Sequence, residues 1–136
     1  VAGLDLSGLT DGTITFTVTI TDAAGNPAVV TSTITKDTAP PTVAIAAVTD
    51  PIDAENDNNT TASGTGEAGA AISIVVRDGT DSTTAVTGTI DEEGNWSLTG
   101  IDVSALADGT LTYTITATDA AGNTATSEMT TTKTTG

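Results

Sequence analysis

The sequence predicts an all-β fold, an antiparallel sandwich of short strands, and three observations lead to that prediction. The stretch from Asp108 to Asn123 has a near copy from Asp11 to Asn26, 97 positions earlier, and this period is the size of one small domain. Threonine, which favours strands, occupies 33 of the 136 positions. Threonine and apolar residues alternate strictly in both copies, which indicates strands buried on one face only.

The period divides the chain into two parts. Because 97 residues do not fit twice into 136, we expect one complete repeat, residues 37–136, preceded by a partial copy, residues 1–36. The partial copy corresponds to the last loop and final hairpin of an earlier repeat. The connector runs from Lys36 to Pro41, because its two adjacent prolines resist both helix and strand ladder. The chain is therefore expected to come from a tandem array.

Seven short strands are expected in the complete repeat. Turns rich in Gly, Asp and Asn separate them at a spacing of about ten residues, which is typical of an immunoglobulin-like antiparallel sandwich. The predicted strands cover residues 42–48, 60–66, 71–77, 84–90, 95–99, 110–118 and 124–133.

The apolar positions that alternate with polar ones form the predicted core. The single tryptophan belongs with them, because a lone Trp beside a leucine in a strand is more often a core residue than a sugar-stacking platform. The predicted core residues are Val43, Ile45, Ile72, Ile74, Trp96, Leu98, Leu106, Leu111, Tyr113 and Ile115.

The partial copy is expected to be incomplete on its own. Its hairpin places Ile14, Phe16, Val18 and Ile20 on one face, and an isolated two-stranded hairpin is marginally stable in water. We therefore expect this face to be covered by a neighbouring repeat or by packing against another molecule.

Charge and composition exclude several functions. The formal net charge is −15, so nucleic acid and anionic membranes are unfavourable partners. No apolar run approaches the roughly 18 residues of a membrane span, so no membrane insertion is expected. The absence of Cys and His removes disulfides, thiol or Ser-His catalysis and imidazole metal sites. The adjacent acids Glu92 and Glu93 lie in a short turn without an apolar cleft, so we expect no enzyme.

The acidic residues are the main candidates for a binding site. If the first strand of the complete repeat leads away from the connector, alternate loops fall at opposite ends of the sandwich, where neighbouring repeats would attach. Clustered carboxylates suit Ca²⁺, which takes roughly 6 to 8 oxygen ligands in flexible geometry. The alternative is that these acids only form turns in solvent. The candidate ligands are Asp50, Asp53, Asp57, Asp102 and Asp108 at the far end, Asp37, Asp119 and Asn123 at the near end, and Asp5 and Asp11 in the partial copy.

Five short motifs in a fixed order resemble one known family. They are Asp37-Thr-Ala-Pro-Pro-Thr42, Gly64-Thr-Gly-Glu-Ala-Gly69, Gly94-Asn-Trp-Ser97, Leu106-Ala-Asp-Gly109 and Asp119-Ala-Ala-Gly-Asn123. Together they resemble the bacterial Ig-like extender repeats of large, RTX-type, biofilm-associated adhesins. The chain departs from antibody-type domains, because it has no cysteine pair and its Trp lies on the fifth strand. Phe16 stands where the complete repeat has Tyr113, so a bonded tyrosine hydroxyl is not a requirement of the repeat.

This resemblance implies a structural role at the bacterial surface. Such adhesins leave the cell by type I secretion and bind calcium, so the expected location is extracellular and the expected partners are neighbouring Ig-like repeats of the same chain. We expect a spacer that holds an adhesive tip away from the cell and that Ca²⁺ stiffens at its joints. The alternative is a module that binds glycan or ice. The threonine ladder is the candidate surface for ice, although outward-facing strands commonly carry threonine.

Overall fold

The computed structural model describes residues 2–136, which form nine β-strands and no helix. The predicted all-β class is confirmed. By internal contacts the chain divides into a first unit that ends at Ala39 and a second unit that runs from Pro40 to Gly136. The strands are β1 (Gly12–Thr21), β2 (Pro27–Lys36), β3 (Val43–Val48), β4 (Thr60–Gly66), β5 (Ala71–Arg77), β6 (Val86–Thr89), β7 (Asn95–Ile101), β8 (Gly109–Thr118) and β9 (Thr124–Lys133).

The second unit is a seven-strand antiparallel sandwich, as predicted. One sheet has the strand order β3-β4-β7 and the other has the order β6-β5-β8-β9. Two strands differ from the predicted bounds by more than one residue at an end. β7 continues to Ile101, because a register shift in its pairing with β4 brings Ile101 opposite Thr60. β6 starts only at Val86, which pairs with Ile74 and so begins the ladder.

The core lies between the two sheets and contains the predicted residues. Nine of the ten are buried, and Val43 is half-buried against them. The sequence did not indicate Ile52, which is fully buried although it lies in a loop of Asp and Asn residues. Its backbone N–H donates to the Thr132 carbonyl and its carbonyl accepts from Thr134, so the loop is fastened along the end of β9.

The first and last strands of the sandwich run in the same direction. Near its start, β3 meets β9 where the Ile45 N–H donates to the Ser127 hydroxyl at 3.4 Å. Beyond its end, the Thr131 hydroxyl donates to the Thr49 carbonyl at 3.1 Å. The chain therefore enters at one end of the sandwich, the entry pole, and leaves at the opposite end, the exit pole. The entry pole carries the turns at 67–70, 91–94 and 119–123, and the exit pole carries the loops at 49–59, 78–85 and 102–108.

The first unit is the β1–β2 hairpin with the loop that precedes it. Val18 and Ile20 are 56% and 62% exposed, as expected for an incomplete repeat. Ile14, by contrast, is 7% exposed, and Phe16 is half-buried. The loop at residues 6–9 is bonded to Lys36 at the same end of the hairpin as Ile14, whereas Val18 and Ile20 lie toward the hairpin turn.

Candidate functional site

The structure places the candidate calcium ligands of the second unit at its two poles. Asp50, Asp53 and Asp57 lie in the first loop of the exit pole, and Asp102 and Asp108 lie in the loop between β7 and β8. Asp119 and Asn123 form the β8–β9 turn at the entry pole. Asp5, Asp11 and Asp37 belong to the first unit. Shared placement at a pole does not by itself bring these side chains together.

At the hairpin turns the acids hold the backbone. Asp119 accepts the N–H groups of Ala121 and Asn123 at 2.9 Å each, and the Asn123 side-chain amide donates to its second oxygen at 3.0 Å. These bonds, chiefly the one from the Asn123 side chain, lower the pKa of Asp119. Asp22 makes the same bonds in the first unit, and its pKa is lowered for the same reason. At these two turns the aspartates therefore act as turn-forming residues, which was the alternative to calcium binding.

Asp102 and its counterpart Asp5 stabilise the loop before the final hairpin. Asp102 accepts the Ser104 N–H at 2.9 Å and the Ser104 hydroxyl at 2.6 Å, and Asp5 accepts the Ser7 N–H at 2.9 Å. The serine side chain is the main cause that lowers the pKa of each carboxyl. Asp53 has a similar local role, because it accepts the N–H of Glu55 at 2.9 Å.

Asp108 and Asp11 each fasten the backbone that follows the final strand. The Thr135 N–H and hydroxyl both donate to Asp108 at 2.9 Å. In the first unit the Thr38 N–H and hydroxyl donate to Asp11 at 2.9 and 3.0 Å. The backbone bond from the threonine is the largest cause that lowers the pKa of each aspartate. We call this pair of bonds the exit clasp, and it occurs once in each unit. Nearby, Asp37 accepts the Ala39 N–H at 3.1 Å.

The lysine at the end of each final strand acts as an internal cation. Lys133 is 2% exposed, and its ammonium donates to the carbonyls of Val103, Ser104 and Leu106 at 2.9, 3.1 and 2.7 Å. Lys36 makes the equivalent bonds at the 97-residue offset, to Leu6, Ser7 and Leu9 at 2.9, 3.5 and 2.6 Å. These bonds satisfy carbonyls that the loop turns toward the end of the strand.

Two of the candidate acids are joined to β9 by side-chain contacts. Asp50 accepts a hydrogen bond from the Thr131 hydroxyl at 2.7 Å. Asp57 lies 3.5 Å from the Lys133 ammonium. Both aspartates therefore compensate polar groups of β9 at the exit pole.

The candidate ligands do not form a shared metal site in the part of the chain that the structure describes. Within residues 2–136, no three acidic side chains stand where they would share one metal ion. Some candidates bond within their own loop or turn, namely Asp5, Asp37, Asp53, Asp102, Asp119 and Asn123. The others bond to the final strand or to the segment after it, namely Asp11, Asp50, Asp57 and Asp108. The assignment of individual calcium ligands therefore stays a prediction.

Two sets of polar contacts in the repeat were not predicted from the sequence. Lys36 and Lys133 had a readable signal, because two of only three basic residues stand at the repeat offset. The second is a buried chain of hydroxyls: Tyr113 donates to the Thr60 hydroxyl at 2.8 Å, and Thr60 donates to the Ile101 carbonyl at 2.8 Å. Phe16 in the first unit lacks the corresponding hydroxyl, so no sequence signal marks this bond.

Among residues 2–136 there is no helix long and apolar enough to cross a bilayer.

The chain is similar to solved repeats of large adhesion proteins. One is a tetra-tandem repeat in the extending region of a large adhesion protein, with 27% identity, a TM-score of 0.57, and coverage of 96% of this chain and 34% of that one. Another is a Ca²⁺-stabilised adhesin that helps an Antarctic bacterium reach out and bind ice, with 28% identity, a TM-score of 0.51, and coverage of 91% and 32%. The chain thus spans about a third of each of these structures.

The family assignment rests on sequence as well as on structure. No curated protein matches the chain. The sequence model of the bacterial Ig-like domain, however, matches residues 37–134, which is most of the chain. The resemblance to Ig-like repeats of large adhesins is confirmed, and this chain belongs to the bacterial Ig-like domain family.

Proposed function

We propose that this chain is a spacer segment of a large bacterial adhesin, in which tandem Ig-like repeats hold an adhesive part away from the cell. The observation that carries the proposal is the common direction of β3 and β9, which puts entry and exit of the chain at opposite poles. Each repeat then adds its own length to the array. The ten residues of β9 at about 3.4 Å per residue give roughly 34 Å per repeat.

The exit clasp supports this role. Thr135 and Asp108 fix the backbone that leaves the second unit, and Thr38 and Asp11 do the same in the first unit. A chain that leaves each repeat in a set direction favours an extended array over a flexible string. In this proposal residues 2–36 are the last part of a preceding repeat, which agrees with the equivalent turns, clasps and lysine bonds of the two units. The role is structural and involves no catalysis.

We also propose that Ca²⁺ stiffens the joints between repeats. Support comes from the net charge of −15, from the concentration of acids at the two poles, and from the Ca²⁺-stabilised adhesin to which the chain is similar. Carboxylates that meet at a joint repel one another, and a divalent ion with oxygen ligands would relieve that repulsion. The ligands would come from Asp5, Asp11, Asp37, Asp50, Asp53, Asp57, Asp102, Asp108, Asp119 and Asn123. Calcium is abundant outside cells, so this role goes with an extracellular, surface-bound protein.

Small-angle scattering on a protein with several of these repeats tests both proposals. If the repeats are spacers, the particle should be elongated, and its maximum dimension should grow by roughly 34 Å with each added repeat. The calcium proposal expects a further increase in maximum dimension, and a higher melting temperature, when Ca²⁺ replaces EDTA.

Two controls separate the outcomes. Sodium chloride at matched ionic strength reports simple screening of the acids, so an equal increase with salt would remove the need for bound calcium. A particle that stays compact as repeats are added would contradict the spacer. Saturable binding of glycan or ice by a single repeat would favour a ligand-binding module instead.

A further inference from the structure

The two hairpins differ at inward positions, which are usually the most similar positions among repeats. The outward threonines of β1 and β8 are identical at all five positions of the 97-residue offset, and so are the turns Asp22–Asn26 and Asp119–Asn123. All four inward positions of the same strands differ: Ile14 for Leu111, Phe16 for Tyr113, Val18 for Ile115 and Ile20 for Ala117. The second strands differ on both faces: inward at Val30 for Ser127, Ser32 for Met129 and Ile34 for Thr131, and outward at Pro27 for Thr124, Val29 for Thr126 and Thr31 for Glu128. The hairpins thus share their turn and the outer face of the first strand, but they present different inner faces.

Two hydrogen bonds of the second unit involve inward side chains that the first hairpin lacks. The Tyr113 hydroxyl donates to buried Thr60, and Phe16 has no hydroxyl to replace it. The Thr131 hydroxyl donates to Asp50 at 2.7 Å, whereas Ile34 would place a methyl group against that carboxylate. An isoleucine here would leave a carboxylate oxygen facing an apolar group.

The volumes of the inner faces also fail to match. Ala117 is fully buried and stands opposite Ile72, which is 3% exposed, so the larger Ile20 would overfill that site. Met129 packs against the core, and Ser32 in its place would leave space. The sandwich that accepts the β8–β9 hairpin is therefore a poor host for the β1–β2 hairpin.

We propose that the inward side chains of the final hairpin make each hairpin specific for its own repeat and prevent exchange of hairpins between neighbouring repeats. Tandem repeats hold near-identical elements at high local concentration, which is the condition that favours domain swapping. Mismatched hydroxyls and volumes disfavour the wrong partner, while the shared turn and the shared outer face of the first strand keep the strand geometry. The residues that set this specificity are Tyr113, Ala117, Ser127, Met129 and Thr131, with Phe16, Ile20, Val30, Ser32 and Ile34 as their counterparts. The inference rests on the proposed tandem array, in which residues 2–36 end a preceding repeat, but it requires neither bound calcium nor the spacer role.

A transplant of one inner face tests whether the second unit rejects the other hairpin. The variant Y113F/A117I/S127V/M129S/T131I gives β8–β9 five of the seven differing inward residues of β1–β2. The control T126V/E128T makes the same exchange at outward positions. Melting is followed through Trp96, the sole tryptophan, which lies in the second unit. We expect the inward variant to lose roughly 10 °C or more in melting temperature, and the control to stay within about 4 °C. An inward variant that melts with the control would overturn the proposal.

The reverse transplant tests competition directly. The variant F16Y/I20A/V30S/S32M/I34T gives β1–β2 the equivalent five inward residues of β8–β9, so two hairpins fit one sandwich. After refolding from denaturant we expect a second indole N–H resonance of Trp96 or a dimer on size-exclusion chromatography. The wild type and the outward control V29T/T31E should give one species. A single native species from the inward variant would show that chain connectivity, not the inner face, selects the hairpin.

Discussion

The ammonium of Lys133 lies 3.5 Å from the carboxylate of Asp57, and the same ammonium donates to three carbonyls of the loop between β7 and β8. The lysine thus ties the end of β9 to two loops of the exit pole at once. The buried ammonium has four oxygen neighbours, and it holds the two loops and the end of β9 together. The Val103 N–H adds a further link, because it donates to the Asp57 carbonyl at 2.8 Å.

Removal of the Lys133 charge should be strongly destabilising. Lys133→Met keeps the apolar stem but leaves three carbonyls and Asp57 without their cation, and we expect a loss of about 3 kcal/mol in unfolding free energy. Urea denaturation followed by Trp96 fluorescence measures it. Arg77→Met removes one positive charge from an exposed strand position and is the matched control. Equal losses in the two variants would mean that Lys133 contributes only its share of net charge.

Gly64 should not tolerate a side chain. It lies within β4, where an added Cβ would overlap the Ala44 carbonyl oxygen and come within 2.8 Å of the Trp96 ring. We expect Gly64→Ala to cost about 2 kcal/mol or more, because neither neighbour can move away without disturbing the sheet or the core. The same substitution at Gly8, where an added Cβ would meet no atom within 4 Å, is the control for the glycine-to-alanine change itself. A Gly64 variant as stable as the wild type in thermal melts would contradict the close packing of β4 on β3.

The strands could be predicted from the sequence because their signal is local. In β8 the threonines alternate with Leu111, Tyr113 and Ile115, and this period of two fixes both the strand and its buried face. Turn residues then set the strand ends to within a few positions.

The hydrogen bonds between distant segments could not be predicted, because no local sequence pattern marks them. Ile52 is a single apolar residue in a polar loop, and only its bonds to β9 carry it into the core. The acids were placed at the correct poles of the second unit, since strand direction alone determines that. Their bonding was not predictable, because an aspartate in a turn looks the same in the sequence whether it binds an ion or caps an N–H group.

Truncation of Ile115 should show which face of β8 carries the stability. Ile115 is fully buried between the sheets, and Ile115→Ala should cost about 2 to 5 kcal/mol in unfolding free energy. Its neighbour Thr116 faces outward and is half-buried, so Thr116→Ala is expected to cost less than about 1 kcal/mol. Chemical denaturation of the two variants provides the comparison. A smaller loss for Ile115 than for Thr116 would reverse the assignment of the inner face.

Acid should weaken the repeat through its turn aspartates. Bonds to serine, threonine and asparagine partners and to backbone N–H groups lower the pKa of Asp102, Asp108 and Asp119, and the Ala107 N–H is the main cause for Asp78. A carboxyl whose pKa is lower in the folded state adds stability above its unfolded value, here 3.8, and that stability is lost as the pH falls through the folded pKa. We therefore expect the melting temperature to be level near pH 6 and to fall progressively below about pH 4.

The acid effect should belong to these four residues and not to the net charge. Protein stripped of Ca²⁺ with EDTA at neutral pH and then transferred to Ca²⁺-free buffers excludes bound calcium as the cause. The variant D78N/D102N/D119N should have a flatter dependence between about pH 4 and pH 2, because three of the four groups that take up protons on unfolding have been removed. The variant D81N/E92Q/E93Q carries the same change in charge at other loop positions and should keep the slope of the wild type. If both variants flatten the curve equally, general repulsion among the 18 acids, rather than the turn bonds, governs the acid response.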